Sequence, residues 1–124
     1  MVYSTCSMNP LENEAVVAQA ILESRGSVEL VPAEIASLKH HVGLKVWKVP
    51  DMNEAGTFYK TFDSIPESKN KFPKNRSCSK RGLLRSMFPP IGDDGDKITD
   101  SLKHCLRIYP HVQNTGGFFI SLRK

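Results

Sequence analysis

Paired cysteines are missing from this chain. Its 124 residues hold three, Cys6, Cys78 and Cys105, at unrelated spacings. An odd and scattered set excludes a disulfide framework and a cysteine-based zinc site, and a reducing intracellular compartment is expected. His40-His41 has no third ligand at metal spacing, so no metal is expected. No apolar run approaches the length that crosses a bilayer, no charged-then-apolar leader is seen, and no membrane partner is expected. A Gly-rich turn between a strand and a helix is lacking too, which excludes the usual nucleotide-cofactor loop. Gly116-Gly117 does not supply one, because that pair precedes a strand. There is no internal repeat.

What is present suits one small domain or part of a larger one. Apolar residues make up 40% and charged residues 24%, and the formal net charge is +4. Its distribution is more informative. Between Lys60 and Arg85 eight basic residues, among them Lys69, Lys71, Lys74 and Arg76, face only Asp63 and Glu67, a local excess of six. Asp93, Asp94, Asp96 and Asp100 then form an acidic patch. A local basic excess is a footprint for phosphate backbones, and equally the composition of a solvated loop. Phe58, Tyr59, Phe62 and Phe72 interleave with it. Such aromatics hold single-stranded bases or anchor the loop, and anchoring is favoured for Phe58 and Phe62.

Periodicity predicts a buried strand over 1–5 and a helix over 10–25 with Leu11, Ala15, Ala18 and Leu22 on one face, capped at Gly26. Val28–Val31 is a short strand stopped by Pro32, and Ala33–Leu38 suits one or two helical turns. Leu44–Val49 alternates apolar and basic, as an exposed edge strand does. Residues 50–95 are expected to be mainly loop. A helix capped by Asp96 or Thr99 should reach about Leu106, and Gly117–Leu122 is strand-like. One of Phe118 and Phe119 should enter the core, since alternate strand side chains face opposite ways; the other could shape a base pocket.

The segment Tyr3-Ser4-Thr5-Cys6-Ser7-Met8-Asn9-Pro10-Leu11-Glu12-Asn13-Glu14 concentrates the chemistry. A strand delivers Cys6 to its carboxyl end, where reacting groups gather in open α/β sheets. Asn9 can cap the following helix, with Pro10 at its first position and Glu12 completing a capping box. A thiol facing a helix N-terminus has its thiolate stabilised. A lone cysteine is also often a small buried hydrophobe. Cys105 beside His104 reads as a packed thiol, because adjacent helix residues do not face each other. Cys78 reads as a solvated loop thiol.

Tyr-Ser-Thr-Cys-Ser-x-Asn-Pro-x-Glu-Asn-Glu-Ala-Val-Val resembles the catalytic motif of the Sun family of RNA cytosine-5 methyltransferases. Cys105-Leu106-Arg107-Ile108-Tyr109-Pro110-His111, Gln113-Asn114-Thr115-Gly116-Gly117-Phe118-Phe119-Ile120 and Met87-Phe88-Pro89-Pro90 extend the resemblance, in order, to the eukaryotic tRNA-modifying branch. The resemblance implies the C-terminal part of a Rossmann-like class I methyltransferase sheet, α/β in class, with a long basic loop insertion. Residues 1–49 would carry the catalytic cysteine, 50–95 the basic insertion, and 96–124 a closing helix and strand.

It further implies that Cys6 is the nucleophile, adding to carbon 6 of cytosine so that carbon 5 can take a methyl group. S-adenosyl-L-methionine would be the donor, tRNA the partner and the nucleus the setting. Arg107 and His111 would contact RNA phosphate beside the cleft, and Lys69, Lys71, Lys74 and Arg76 are expected on the loop's charge alone to contact RNA as well. Packing is an equal alternative for Arg107 and His111. The family's donor loop, its acidic ribose-binding residue and its Pro-Cys motif precede Thr-Cys-Ser, so they are expected upstream of Met1, and the chain is expected to be a fragment or a truncated gene product. The alternative function is a non-catalytic RNA-binding remnant.

Overall fold

The computed structural model describes residues 1–66, 79–80 and 82–124. Its strands are β1 (Val2–Thr5), β2 (Leu30–Val31), β3 (His41–Val42), β4 (Val49–Pro50), β5 (Phe58–Tyr59), β6 (Ser79–Lys80), β7 (Leu83–Leu84), β8 (Leu106–Ile108) and β9 (Phe118–Arg123). Its helices are α1 (Glu14–Ser24), α2 (Asp93–Ser101) and α3 (Pro110–Gln113).

The main sheet runs β1-β9-β8-β3, with β2 also paired to β9, and every pairing is antiparallel. Leu122 pairs with both Val2 and Val31, and Ile120 with both Ser4 and Leu106. One edge of β9 is therefore lined by β1, and the other by β8 and then β2. β1 and β2 run in the same direction with β9 between them, and α1 makes the crossover. β4–β5 and β6–β7 form two small separate pairs.

β1 lies at the edge of the sheet formed by the described residues, with exposed and half-buried residues alternating along it. Leu44–Lys48 forms no strand. Trp47 turns inward, 7% exposed, and its indole N–H donates to the Met87 carbonyl at 2.8 Å. Filling the core with that ring outweighs the propensity of an alternating pattern. α2 is capped at its N-terminus by Gly92, whose φ of 87° suits glycine, rather than by Asp96 or Thr99, and three aspartates of the acidic patch occupy its first turn. Carboxylates there are favoured by the helix dipole.

The core joins Val17 of α1, Leu30, Trp47, Val49, Tyr59, Phe62, Leu83, Phe88, Leu102, Cys105 and Phe119. α1 is turned about its axis relative to the expected face: Ala15, Val17 and Ala18 are buried, whereas Leu22 is 45% exposed. Glu14 causes the turn. It is fully buried and shares a helical stripe with Val17, Ala18 and Ile21.

Candidate active site around Cys6

Cys6 follows β1 directly and is exposed. The turn behind it, 6–13, contains no glycine and is not regular helix. Asn9 Oδ1 accepts from the Leu11 N–H at 3.0 Å, which caps a turn, and the Ala15 N–H reaches back to the Pro10 carbonyl at 3.0 Å. α1 proper begins at Glu14, four residues later than expected. The delay has a physical reason: Asn13 and Glu14, consecutive and both fully buried, each direct their side chains to partners in the interior.

The Asn13 amide clamps both neighbours of the cysteine. Its Oδ1 accepts from the Thr5 hydroxyl at 2.5 Å, and its Nδ2 donates to the Ser7 carbonyl at 2.9 Å. Thr5 Oγ1 in turn accepts from the Ser7 N–H at 3.2 Å. Glu14 is held by Arg107, with Nε to Oε1 at 2.6 Å and Nη2 to Oε2 at 2.5 Å, and the Leu44 N–H donates to Oε1 at 2.9 Å. Arg107 Nη1 donates to the Met8 carbonyl at 3.1 Å. Burial alone would lower the pKa of Arg107, but its hydrogen bonds and charge attraction to Glu14 outweigh this and raise it, so the guanidinium stays charged.

Arg107 is 2% exposed, with its guanidinium spent on Glu14 and Met8. His111, in contrast, is exposed, and its ring lies 5.6 Å from that of Tyr109, which meets His41 edge-on at 5.2 Å. Thr5 pairs with Phe119, and Ile108 with Phe118. The ends of β1 and β8 and the start of β9 therefore lie side by side, which puts Cys6, Phe118 and the Tyr109–His111 segment at one end of the sheet. Phe119 is fully buried and Phe118 is 45% exposed, the split that strand alternation predicts. Gly117 permits this closeness: a Cβ there would lie 3.3 Å from Met8 Cε and 3.3 Å from Pro110 Cδ.

Cys105 is fully buried, and burial pushes its thiol up to about 12, so it is a packed thiol and no nucleophile. Phe62 is buried and meets Phe88 edge-on at 6.0 Å, as an anchor does, whereas Phe58 is 57% exposed. Lys69, Lys71, Lys74, Arg76, Phe72 and Cys78 lie outside the described residues. Among those described, no group of His, Cys, Asp or Glu could hold a metal, and no helix is long and apolar enough to cross a membrane.

Asn13, and Glu14 as the partner of Arg107, were missed by sequence reasoning. The usable signal was an acidic residue at the head of an apolar helical stripe, which demands a buried cation.

A family model described as 16S rRNA methyltransferase RsmB/F matches residues 1–63. The tRNA (cytosine(34)-C(5))-methyltransferase of Drosophila melanogaster is 37% identical over 98% of this chain and 15% of its own length. Multisite-specific tRNA:(cytosine-C(5))-methyltransferases of Schizosaccharomyces pombe and Saccharomyces cerevisiae are 40% and 36% identical over 98% of this chain, and over 16% and 15% of their own lengths. The chain thus spans about one sixth of the length of these curated relatives. No solved structure matches it. With the first half of the chain matched by that model and nearly all of it by these relatives, the chain belongs to the RsmB/F family of RNA methyltransferases.

Proposed function

We propose that this chain carries the nucleophile for methylating carbon 5 of cytosine in tRNA, and that its sheet is the closing edge of a class I methyltransferase domain. The observation that carries the reading is an exposed Cys6 at a strand end, on a turn immobilised by buried polar groups. The Cys6 thiolate adds to carbon 6 of the base. An S–C6 bond forms, and the π electrons of the C5=C6 bond move to carbon 5, making it a nucleophile. After substitution at carbon 5, loss of the C5 proton restores the double bond and expels the thiolate. His111 and the basic residues Lys69, Lys71, Lys74 and Arg76 serve as contacts to RNA phosphates.

S-adenosylmethionine would supply an electrophilic methyl group on a sulfonium. The described residues do not fit it. The turn between β1 and α1 has no glycine, unlike the Gly-rich loops whose backbone N–H groups cradle nucleotide cofactors. No step through the donor is assigned to them. The second reading is a polypeptide that binds tRNA without methylating it. Labelled methyl transfer measured beside tRNA binding separates the two.

Cys6→Ala should abolish covalent capture of 5-azacytidine-substituted tRNA and stop methylation in the full-length protein. Capture at the wild-type level by this variant removes Cys6 from the nucleophile role.

A further inference from the structure

The proposed chemistry uses the Cys6 sulfur and leaves the buried pair Glu14–Arg107 without a task. The pair invites an explanation, because burying two charges costs desolvation that their attraction repays only with very good geometry. What such a pair supplies over apolar side chains is direction. A guanidinium presents its donors in a rigid fork. Here two of those N–H groups fix the fork on Glu14, and a third holds the Met8 carbonyl. The Leu44 N–H locks the carboxylate in place. The Asn13 amide holds Thr5 on one side of Cys6 and Ser7 on the other. Cys6 is therefore the one residue of 5–8 that makes no side-chain or main-chain tie of its own in this set, while the residues flanking it are all tied.

We propose that Arg107, seated by Glu14, and Asn13 are positioning residues that aim the Cys6 sulfur at the face of the target base. The inference rests on the reading of Cys6 as the nucleophile. Addition to carbon 6 of a pyrimidine needs the sulfur above the ring plane and on a narrow line. A displacement of about 1 Å costs on the order of a hundredfold in such reactions. A small alkylating reagent can approach an exposed thiol from many directions and has no such requirement.

Arg107→Lys makes the test. It keeps a positive charge beside Glu14 but lacks the fork that reaches Met8 at the same time. Capture of 5-azacytidine-substituted tRNA should slow by about ten- to a hundredfold. Iodoacetamide alkylation, read at the Cys6 peptide by mass spectrometry, should keep its rate and pH profile within about twofold, and tRNA affinity should hold, since no contact with reagent or phosphate is lost. Thr5→Val, which keeps the branched shape and removes the hydroxyl held by Asn13, should show the same split to a smaller degree, and it decides the matter if Arg107→Lys does not fold. Wild-type capture rates in the folded variants overturn the positioning role and leave the nucleophile in place. No capture by the unaltered protein overturns the nucleophile reading instead.

Discussion

The Cys6 end of the molecule and the described parts of the segment that carries β4, β5, β7 and the Phe88-Pro89-Pro90 turn both consist largely of irregular backbone, but they are held in different ways. Around Cys6 the fasteners are buried polar groups with defined directions: Asn13, Glu14 and Arg107, the last two 93 residues apart. In the described part of the other segment apolar anchors do most of the holding, with Phe62 against Phe88 and Leu83 buried, and the one buried carboxylate, Asp51, accepts from the Tyr59 hydroxyl at 2.6 Å. The Arg85–Asp63 pair, 2.7 Å long, leaves its side chains 58% and 60% exposed. Apolar anchoring fixes where a loop lies. A buried polar network also fixes how each carbonyl and amide is turned, which a reacting group requires.

The comparison breaks most visibly at its ion pairs. Arg107→Ala should cost about 3–5 kcal/mol, because Glu14 is left charged and fully buried. Arg85→Ala should cost about 1 kcal/mol or less, since water already screens its pair. Urea unfolding of both variants checks this. Equal losses would mean that the two regions are held alike.

Alkali tests the buried side next. Cys105 has an ordinary pKa of 9.0, and burial, followed by the Glu14 charge, raises it to about 12. Between those values the unfolded chain has lost the proton and the folded one has kept it, so stability falls as pH rises from 9 to 12. The loss reaches roughly 4 kcal/mol at the upper end, at about 1.4 kcal/mol for each pH unit of the interval. Tyrosines and lysines titrate in the same range, so the measured quantity is the difference between wild type and Cys105→Ala. That difference should shrink as pH rises through this interval, and a constant difference refutes the buried-thiol account.

The elements legible in the sequence were those with local causes. β1, the body of α1, β9 and the thiol at the strand end follow from alternation, helical spacing and the residues flanking Cys6. The partition of Phe118 and Phe119 follows from strand geometry alone. What local patterns could not supply was pairing across the chain. Nothing near Glu14 names Arg107, and nothing near Arg107 shows that its charge is spent inside rather than offered to phosphate. The same blindness misread Leu44–Val49, where Trp47 obeys Met87, 40 residues away, instead of its neighbours. The late start of α1 is a third instance, since capping residues propose a helix start and buried partners of Asn13 and Glu14 move it.

A smaller effect is expected where the two strand ends meet. Gly117→Ala puts a methyl group 3.3 Å from both Met8 Cε and Pro110 Cδ, tight enough that the flexible methionine must shift. The cost should be about 1 kcal/mol, at the low end for an added methylene. Its more specific consequence is a displaced Met8, visible as slower capture of 5-azacytidine-substituted tRNA. An unchanged capture rate would show that the Met8 side chain can move without disturbing the carbonyl held by Arg107.

The smallest effect belongs to the exposed pair Lys45–Asp100, 2.6 Å long. The hydrogen bond from Lys45, then its charge, holds the Asp100 carboxyl below its ordinary value of 3.8. A carboxyl depressed in this way favours the folded state above its ordinary pKa, and the preference fades as pH falls through the depressed value. The Asp100 side chain is 64% exposed, so water competes for the contacts it makes. Lys45→Ala should therefore move the Asp100 titration upward in an NMR pH series while the urea midpoint stays where it was. A lowered midpoint would place this surface pair with the buried network at the Cys6 end, and the distinction between the two modes of fastening would lose its sharpest example.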